Sequence, residues 1–228
     1  MTRTIAILVA ALVLMTTATG VSAQDEDWLR IPYKVSIALD IGIGMPMDPS
    51  SFSNLWNAGI PASISAGYVI IPQIEVQGWF TYAAWGISGI PAQQEIGIIG
   101  VYEVSGGTIT TIWYGAAAKF YPIPNSRILP TLTLGGGLFE ATAEQLVVGT
   151  SPPHVNTMEN SSGPAFLAGV GMEYGVNERW NVYTEFKYIR GFSDTFAPAN
   201  LLLGPNDEPV VGENLAIGII NLGILLKI

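Results

Sequence analysis

The run Gly163-Pro164-Ala165-Phe166-Leu167-Ala168-Gly169-Val170-Gly171-Met172-Glu173-Tyr174, with its continuation Trp180-Asn181-Val182-Tyr183-Thr184-Glu185-Phe186-Lys187-Tyr188-Ile189-Arg190, decides the fold. Between the two lies a short polar turn, Asn177-Glu178-Arg179. Every second residue belongs together. Phe166, Ala168, Val170, Met172 and Tyr174 form one set, and Leu167, Gly169, Gly171 and Glu173 the other. Past the turn, Trp180, Val182, Thr184, Phe186 and Tyr188 oppose Asn181, Tyr183, Glu185 and Lys187. A period of two means strands, because successive side chains point to opposite faces. The charges Glu173, Glu185 and Lys187 all fall on the glycine side, and the other side is apolar and aromatic. A water-soluble barrel would turn its apolar side inward. Apolar side chains outside, polar ones inside and aromatics at the rim describe a barrel standing in lipid.

Working outward, the same alternation recurs. Over 33–45, Val35, Ile37, Leu39, Ile41 and Ile43 oppose Lys34, Ser36, Ala38, Asp40, Gly42 and Gly44. Further strands are predicted at about 62–71, 74–87, 108–121, 130–142 and 213–228. The last carries an apolar face of Ala216, Gly218, Ile220, Leu222, Ile224, Leu226 and Ile228. Ile96 to Val104 also reads as a strand, in an extension above the membrane; adding it to the wall, for ten strands, is the alternative. Connections alternate long and short: polar loops at 47–59, 88–107, 143–162 and 193–212, tight turns at Pro72-Gln73, Pro122 to Arg127 and Asn177 to Arg179. This predicts an all-β, eight-stranded, antiparallel, up-and-down transmembrane β-barrel. Its short turns are periplasmic and its long loops extracellular. Closure is required, since hydrocarbon offers no partners to an open edge.

Composition narrows the function. The 228 residues contain no Cys, so neither a disulfide framework nor thiolate chemistry is available. Only 12% are charged, and mean hydropathy is +0.40. Beyond the N-terminus no apolar run reaches the ~18 residues of a helical span. The formal charge of −9, with 9 Lys and Arg, excludes nucleic acid, which requires a basic surface. At the start, Arg3, the apolar Ile5 to Met15 and the small-residue site Val21-Ser22-Ala23 predict a signal peptide over 1–23. Residues 24–32, with Asp25, Glu26 and Asp27, form a periplasmic lead-in, and 33–228 the barrel domain.

The predicted inward set contains Lys34, Asp40, Glu75, Gln77, Lys119, Glu173, Glu185, Lys187 and Lys227. Eight strands leave room for little but side chains, and buried charges tend to be paired. A salt-bridged plug is expected, with Glu75 beside Lys119 and Glu173 near Lys187 as candidate neighbours. A proton path or ligand site is the alternative. Two aromatic girdles are expected at the interfaces: Tyr33, Phe120, Tyr121, Tyr174 and Trp180 near the short turns, and Trp85, Tyr102, Tyr188 and Phe192 near the long loops.

Leu132-Thr133-Leu134-Gly135-Gly136-Gly137, Gly169-Val170-Gly171-Met172-Glu173-Tyr174 and Trp180 to Tyr188 together resemble the small bacterial outer-membrane barrels of the OmpA/OmpX-like superfamily. The resemblance spans about 33–228. It implies the barrel architecture, location in the outer membrane, lipid as the surrounding partner and help from the barrel-insertion machinery during assembly. It specifies activity hardly at all. One departure is that such barrels usually end in an aromatic residue read by that machinery, whereas this sequence ends Leu226-Lys227-Ile228.

Three functions compete. The first is a structural or adhesive scaffold whose loops contact an extracellular ligand or surface. The second is a narrow pore or route for small or hydrophobic solutes, and the third a lipid-modifying enzyme. For the third, the sole His, His154, sits after Pro152-Pro153, away from any strand that would hold a Ser-His-acid triad. One His and no Cys also make a poor transition-metal set. Asn206, Asp207, Glu208 and Glu213 are oxygen donors of the kind that hold Ca²⁺, and equally an ordinary solvated loop. Gly135-Gly136-Gly137 lacks the Lys-Ser/Thr of a phosphate loop. No cofactor or catalytic site is predicted. The apolar run Leu201-Leu202-Leu203 in an outer loop is set aside as a contact with other loops, the lipid surface or a partner.

Overall fold

A computed structural model describes residues 33–87, 104–124, 126–148, 154–156, 160–197 and 212–228. The segments 1–23 and 24–32, Ile96 to Glu103 with Tyr102, Leu201 to Leu203, and Asn206 to Glu208 lie outside the described residues. Eight strands form the wall: β1 (Val35–Asp48), β2 (Ala62–Ile71), β3 (Ile74–Trp85), β5 (Ile109–Phe120), β6 (Ile128–Ala143), β9 (Ser161–Gly175), β10 (Trp180–Gly191) and β11 (Leu215–Lys227). They close in the order β1-β11-β10-β9-β6-β5-β3-β2, all antiparallel. This is the predicted up-and-down topology. Closure joins β1 to β11, with Ser36 opposite Lys227 and Asp40 opposite Gly223. Among the described residues no helix is long and apolar enough to cross a bilayer, so strands do the spanning.

Three short strands stand apart from the wall. β4 (Val104–Gly106), β7 (Leu146–Val148) and β8 (His154–Asn156) make a small sheet in the order β4-β7-β8. Of the predicted strand Ile96 to Val104 only Val104 is among the described residues, and it belongs to this small sheet and not to the eight-stranded wall. The loop after β1 differs from its predicted irregular form: it contains α1 (Ser50–Leu55), a single short helix. Its serines suit a turn, while Phe52 gives it an apolar side to bury.

Burial follows the alternation along the wall strands, except over Leu215 to Ile219 at the start of β11, where both faces are buried. Lys119 is 3% and Glu185 4% exposed, whereas Leu222 is 67%, Leu134 61% and Ile41 59% exposed. In water, each such exposed side chain would forgo roughly 1.5–3 kcal/mol of burial. A continuous belt of them makes sense only against hydrocarbon. The exterior is a lipid-facing surface and the molecule an integral membrane barrel.

Candidate functional site

The interior is the one chemically distinctive region of the described barrel, and it divides at mid-height. Toward the short turns it is polar. Glu75 and Gln77 at the start of β3, Lys119 at the end of β5, Thr131 and Thr133 of β6, Glu173 of β9, and Asn181, Glu185 and Lys187 of β10 are all buried, as are Ser36 and Asp40 of β1. Toward the long loops it is apolar. Trp85, Trp113, Phe139, Ile109, Leu215, Ile217, Ile219 and Ile189 pack as one cluster with Phe52 of α1, Trp56 and Phe196.

Two ion-paired groups organise the polar half. Lys187 Nζ lies 3.0 Å from Asp40 Oδ2 and 3.7 Å from Glu185 Oε2. Tyr183 donates to Asp40 Oδ2 at 2.7 Å, and Thr133 to Glu185 Oε1 at 2.6 Å. Nearer the short turns, Lys119 Nζ lies 3.0 Å from Glu173 Oε1, and Asn181 Nδ2 donates to Glu173 Oε2 at 2.9 Å. The Tyr121 hydroxyl is within 2.9 Å of Glu75 Oε2 and 3.2 Å of Glu173 Oε1, and Ser36 Oγ is 2.5 Å from Glu75 Oε1. Burial above all, with the Glu173 carboxylate adding to it, pushes the hydroxyls of Tyr33 and Tyr121 far above the usual phenol range, so both keep their protons.

Several expected placements are corrected. Lys34 shares the inward parity but precedes β1, and at the rim its side chain is exposed. Lys227, at the end of β11, is only half-buried, its ammonium 5.3 Å over the Tyr33 ring. Trp85 is no girdle residue. It is wholly buried and donates to Thr111 Oγ1 at 3.1 Å; its parity with Glu75, Gln77 and Trp79 on β3 sends it inward. Tyr33 and Tyr121, just outside strand ends, fold into the barrel mouth and cover the carboxylates there. Phe120, Tyr174, Trp180 and Phe192 are exposed, and Tyr188 is half-exposed on the outward face. The charge pairs also differ. Glu75 and Lys119 are register partners, yet Lys119 bonds Glu173 from beyond β6. Lys187 pairs with Asp40 and Glu185, not with Glu173. Strand tilt and stagger set the height of each side chain, and neighbouring strands do not reveal that.

Inward-facing Trp79 and Trp113 follow from strand parity, and rings from the loops join the interior to form an aromatic seal. Phe52 packs edge-on against Trp85 at 5.7 Å and Phe196 at 5.5 Å, and Trp113 stacks on Phe139 at 5.0 Å. Trp56 Nε1 donates to the Gly107 carbonyl at 3.0 Å, which pins the first loop to the second. Its sequence signal is the set of inward-parity bulky residues Trp85, Trp113 and Phe139 in the outer halves of their strands, with Trp79 at mid-strand below them. Two glycines of the β6 triplet, Gly135 and Gly137, are steric requirements, whereas a Cβ on Gly136 would make only ordinary contact, 3.5 Å from the Ala165 carbonyl oxygen. A Cβ on Gly135 would lie 2.6 Å from the Ala116 carbonyl oxygen, and one on Gly137 would collide with that of Tyr114. At the outer interface the lipid side carries Glu140, which accepts from the Tyr114 hydroxyl at 3.2 Å, and Arg190, 5.7 Å from the Phe192 ring. His154 opens β8 in the small outer sheet. Among the described residues no cluster of His, Cys, Asp and Glu is arranged to hold a metal ion.

The class this geometry defines is the small, closed, outer-membrane-type barrel. Comparison with solved structures agrees at the level of fold. Neisserial surface protein A matches with a TM-score of 0.54 and 16% identity, over 85% of this chain and 97% of that one. OprG, an outer membrane protein of Pseudomonas aeruginosa, matches with 0.53 and 13% identity, over 88% and 98%. Ail, the attachment invasion locus protein of Yersinia pestis, matches with 0.50 and 12% identity, over 86% and 99%. No protein-family model matches the chain, and neither does any curated protein sequence.

Proposed function

We propose that this protein is a non-conducting scaffold in the bacterial outer membrane, whose barrel holds four outer loops in place for binding. One observation carries the reading: the lumen is filled along its length. Its outer half is shut by Trp85, Trp113, Phe139 and Phe52, all wholly buried. Its inner half is occupied by the two ion-paired groups. A pore needs a wetted path, and among the described residues the side chains that face the lumen are buried in both halves. The loops then remain as the part available for recognition, and a protein named for attachment among the matched structures supports this reading without deciding it.

The loop sequences bear on the ligand. The connections 49–61, 86–108, 144–160 and 192–214 contain Glu95, Glu103, Glu144, Glu159, Asp194, Asp207, Glu208 and Glu213 but no Lys or Arg. Such a rim repels polyanions and suits a neutral or cationic partner. The test is electrical. Purified protein in planar bilayers is expected to add no discrete conductance steps, and reproducible unitary currents from the wild-type chain would sink the scaffold reading in favour of a pore.

A further inference from the structure

The two charged groups of the lumen have the same composition, two carboxyls and one lysine, but their geometry differs. In the mid-height group Lys187 touches both carboxylates, Asp40 at 3.0 Å and Glu185 at 3.7 Å. In the group near the short turns Lys119 bonds Glu173 only. Glu75, 1% exposed, forms no ion pair among the described residues. What joins Glu75 to Glu173 is the Tyr121 hydroxyl, 2.9 Å from one carboxyl and 3.2 Å from the other.

Hydrogens can be counted at that oxygen. A phenol carries one. It can satisfy one carboxylate, and its lone pairs then face the second. Two acceptors in contact inside a buried site repel unless one of them brings a hydrogen of its own. Glu173 already accepts from Lys119 on Oε1 and from Asn181 on Oε2, the environment of an ionised carboxylate. Glu75 has Ser36 Oγ at 2.5 Å on Oε1 and only Tyr121 on Oε2. We propose that this group is a proton-binding site: Glu75 donates from Oε2 to the Tyr121 oxygen, and Tyr121 donates to Glu173 Oε1. Each contact then contains one hydrogen, and the charges reduce to Lys119 against Glu173.

The surroundings fit a neutral acid. Ser36 and Tyr33 face Glu75 from the β1 side, and Gly67 of β2 leaves the space its carboxyl occupies, since a Cβ there would collide with it. Lys119 and Tyr121 come from β5 and the turn after it, Glu173 from β9, and Asn181 with the more distant Glu185 from β10. Lys227 of β11 stands at the mouth over Tyr33. The aromatic half closes the other direction, so the site exchanges with the short-turn side of the membrane only.

The experiment is infrared spectroscopy of the full chain refolded into lipid bilayers at neutral pH, in H₂O and in D₂O. A protonated-carboxyl C=O band that shifts in D₂O is expected. It should be lost in Glu75→Gln and kept in Glu185→Gln. Absence of the band from the wild type, or its survival in Glu75→Gln, overturns the assignment. A second readout covers folding. The amide that Glu75→Gln introduces would donate to Tyr121 and accept from Ser36, as the neutral acid does. Glu75→Gln is therefore expected to unfold at the wild-type urea midpoint or above it, and Glu173→Gln below it. A Glu75→Gln midpoint well under that of Glu173→Gln also overturns the proposal.

Discussion

The two halves of the lumen solve one problem by different physics. In the outer half, volume is filled by apolar rings: Trp113 on Phe139, Phe52 against Trp85 and Phe196. Any close-packed apolar set of the right shape serves there, so loop residues complete it as readily as strand residues do. In the inner half, volume is filled by groups that each need a particular partner. Asp40 needs Lys187 and Tyr183, and Glu173 needs Lys119 and Asn181. The first half tolerates exchange of shape, while the second tolerates no unilateral loss. The seal lies toward the outside, and the groups that exchange protons lie on the protected side.

That contrast can be broken by substitution, taken from the largest effect to the smallest. Trp113→Ala removes a wholly buried ring and its stacking partner's contact, and is expected to cost about 3–5 kcal/mol. Urea unfolding in bilayers, followed by heat-modifiable gel mobility, measures this. A loss under ~1 kcal/mol would mean that the outer half is not close-packed. Lys187→Met strands two buried carboxylates and should cost about 3 kcal/mol or more. The double change Lys187→Met with Asp40→Leu should recover part of that, because replacing both partners removes the uncompensated charge. Failure of the second change to help would show that pairing is not what holds this half together.

Smaller effects sharpen the picture. Leu222→Arg on the lipid face should cost about 2–4 kcal/mol near the bilayer midplane and less toward either interface. An unperturbed midpoint would place Leu222 outside the hydrocarbon. Thr133→Val removes one donor from Glu185 and should cost about 1.5–3 kcal/mol, since the acceptor is ionised. Lys34→Ala, exposed at the rim, should stay within about 0.5 kcal/mol of wild type by the same urea titration. A large loss there would return Lys34 to the interior network.

Which parts of this were legible in advance follows from the range of each interaction. The wall strands and their faces were legible because side-chain direction in a strand is a local property of period two. Phe166 against Leu167, or Ile224 against Leu225, declares its side without reference to any other strand. The acidic and basic inward residues of β3, β5, β9 and β10 were legible for the same reason. Trp85 was open to the same rule, since it shares parity with Trp79, and the expectation of a girdle overrode it. Tyr33 and Tyr121 were not legible, because they stand where the strand rule has ended and the cover of buried carboxylates decides.

Alternation along the chain by itself determined that this protein is a strand-built barrel with hydrocarbon outside and charge within. Its loop lengths determined which end is which. Only the tertiary structure decided which lysine meets which carboxylate, because tilt and stagger bring Lys119 to Glu173 past an intervening strand. It also decided that Phe52 and Phe196, from loops far apart in sequence, meet at 5.5 Å to seal the lumen. Side-chain direction is written into each dipeptide, whereas contact across a lumen depends on how eight strands close on one another.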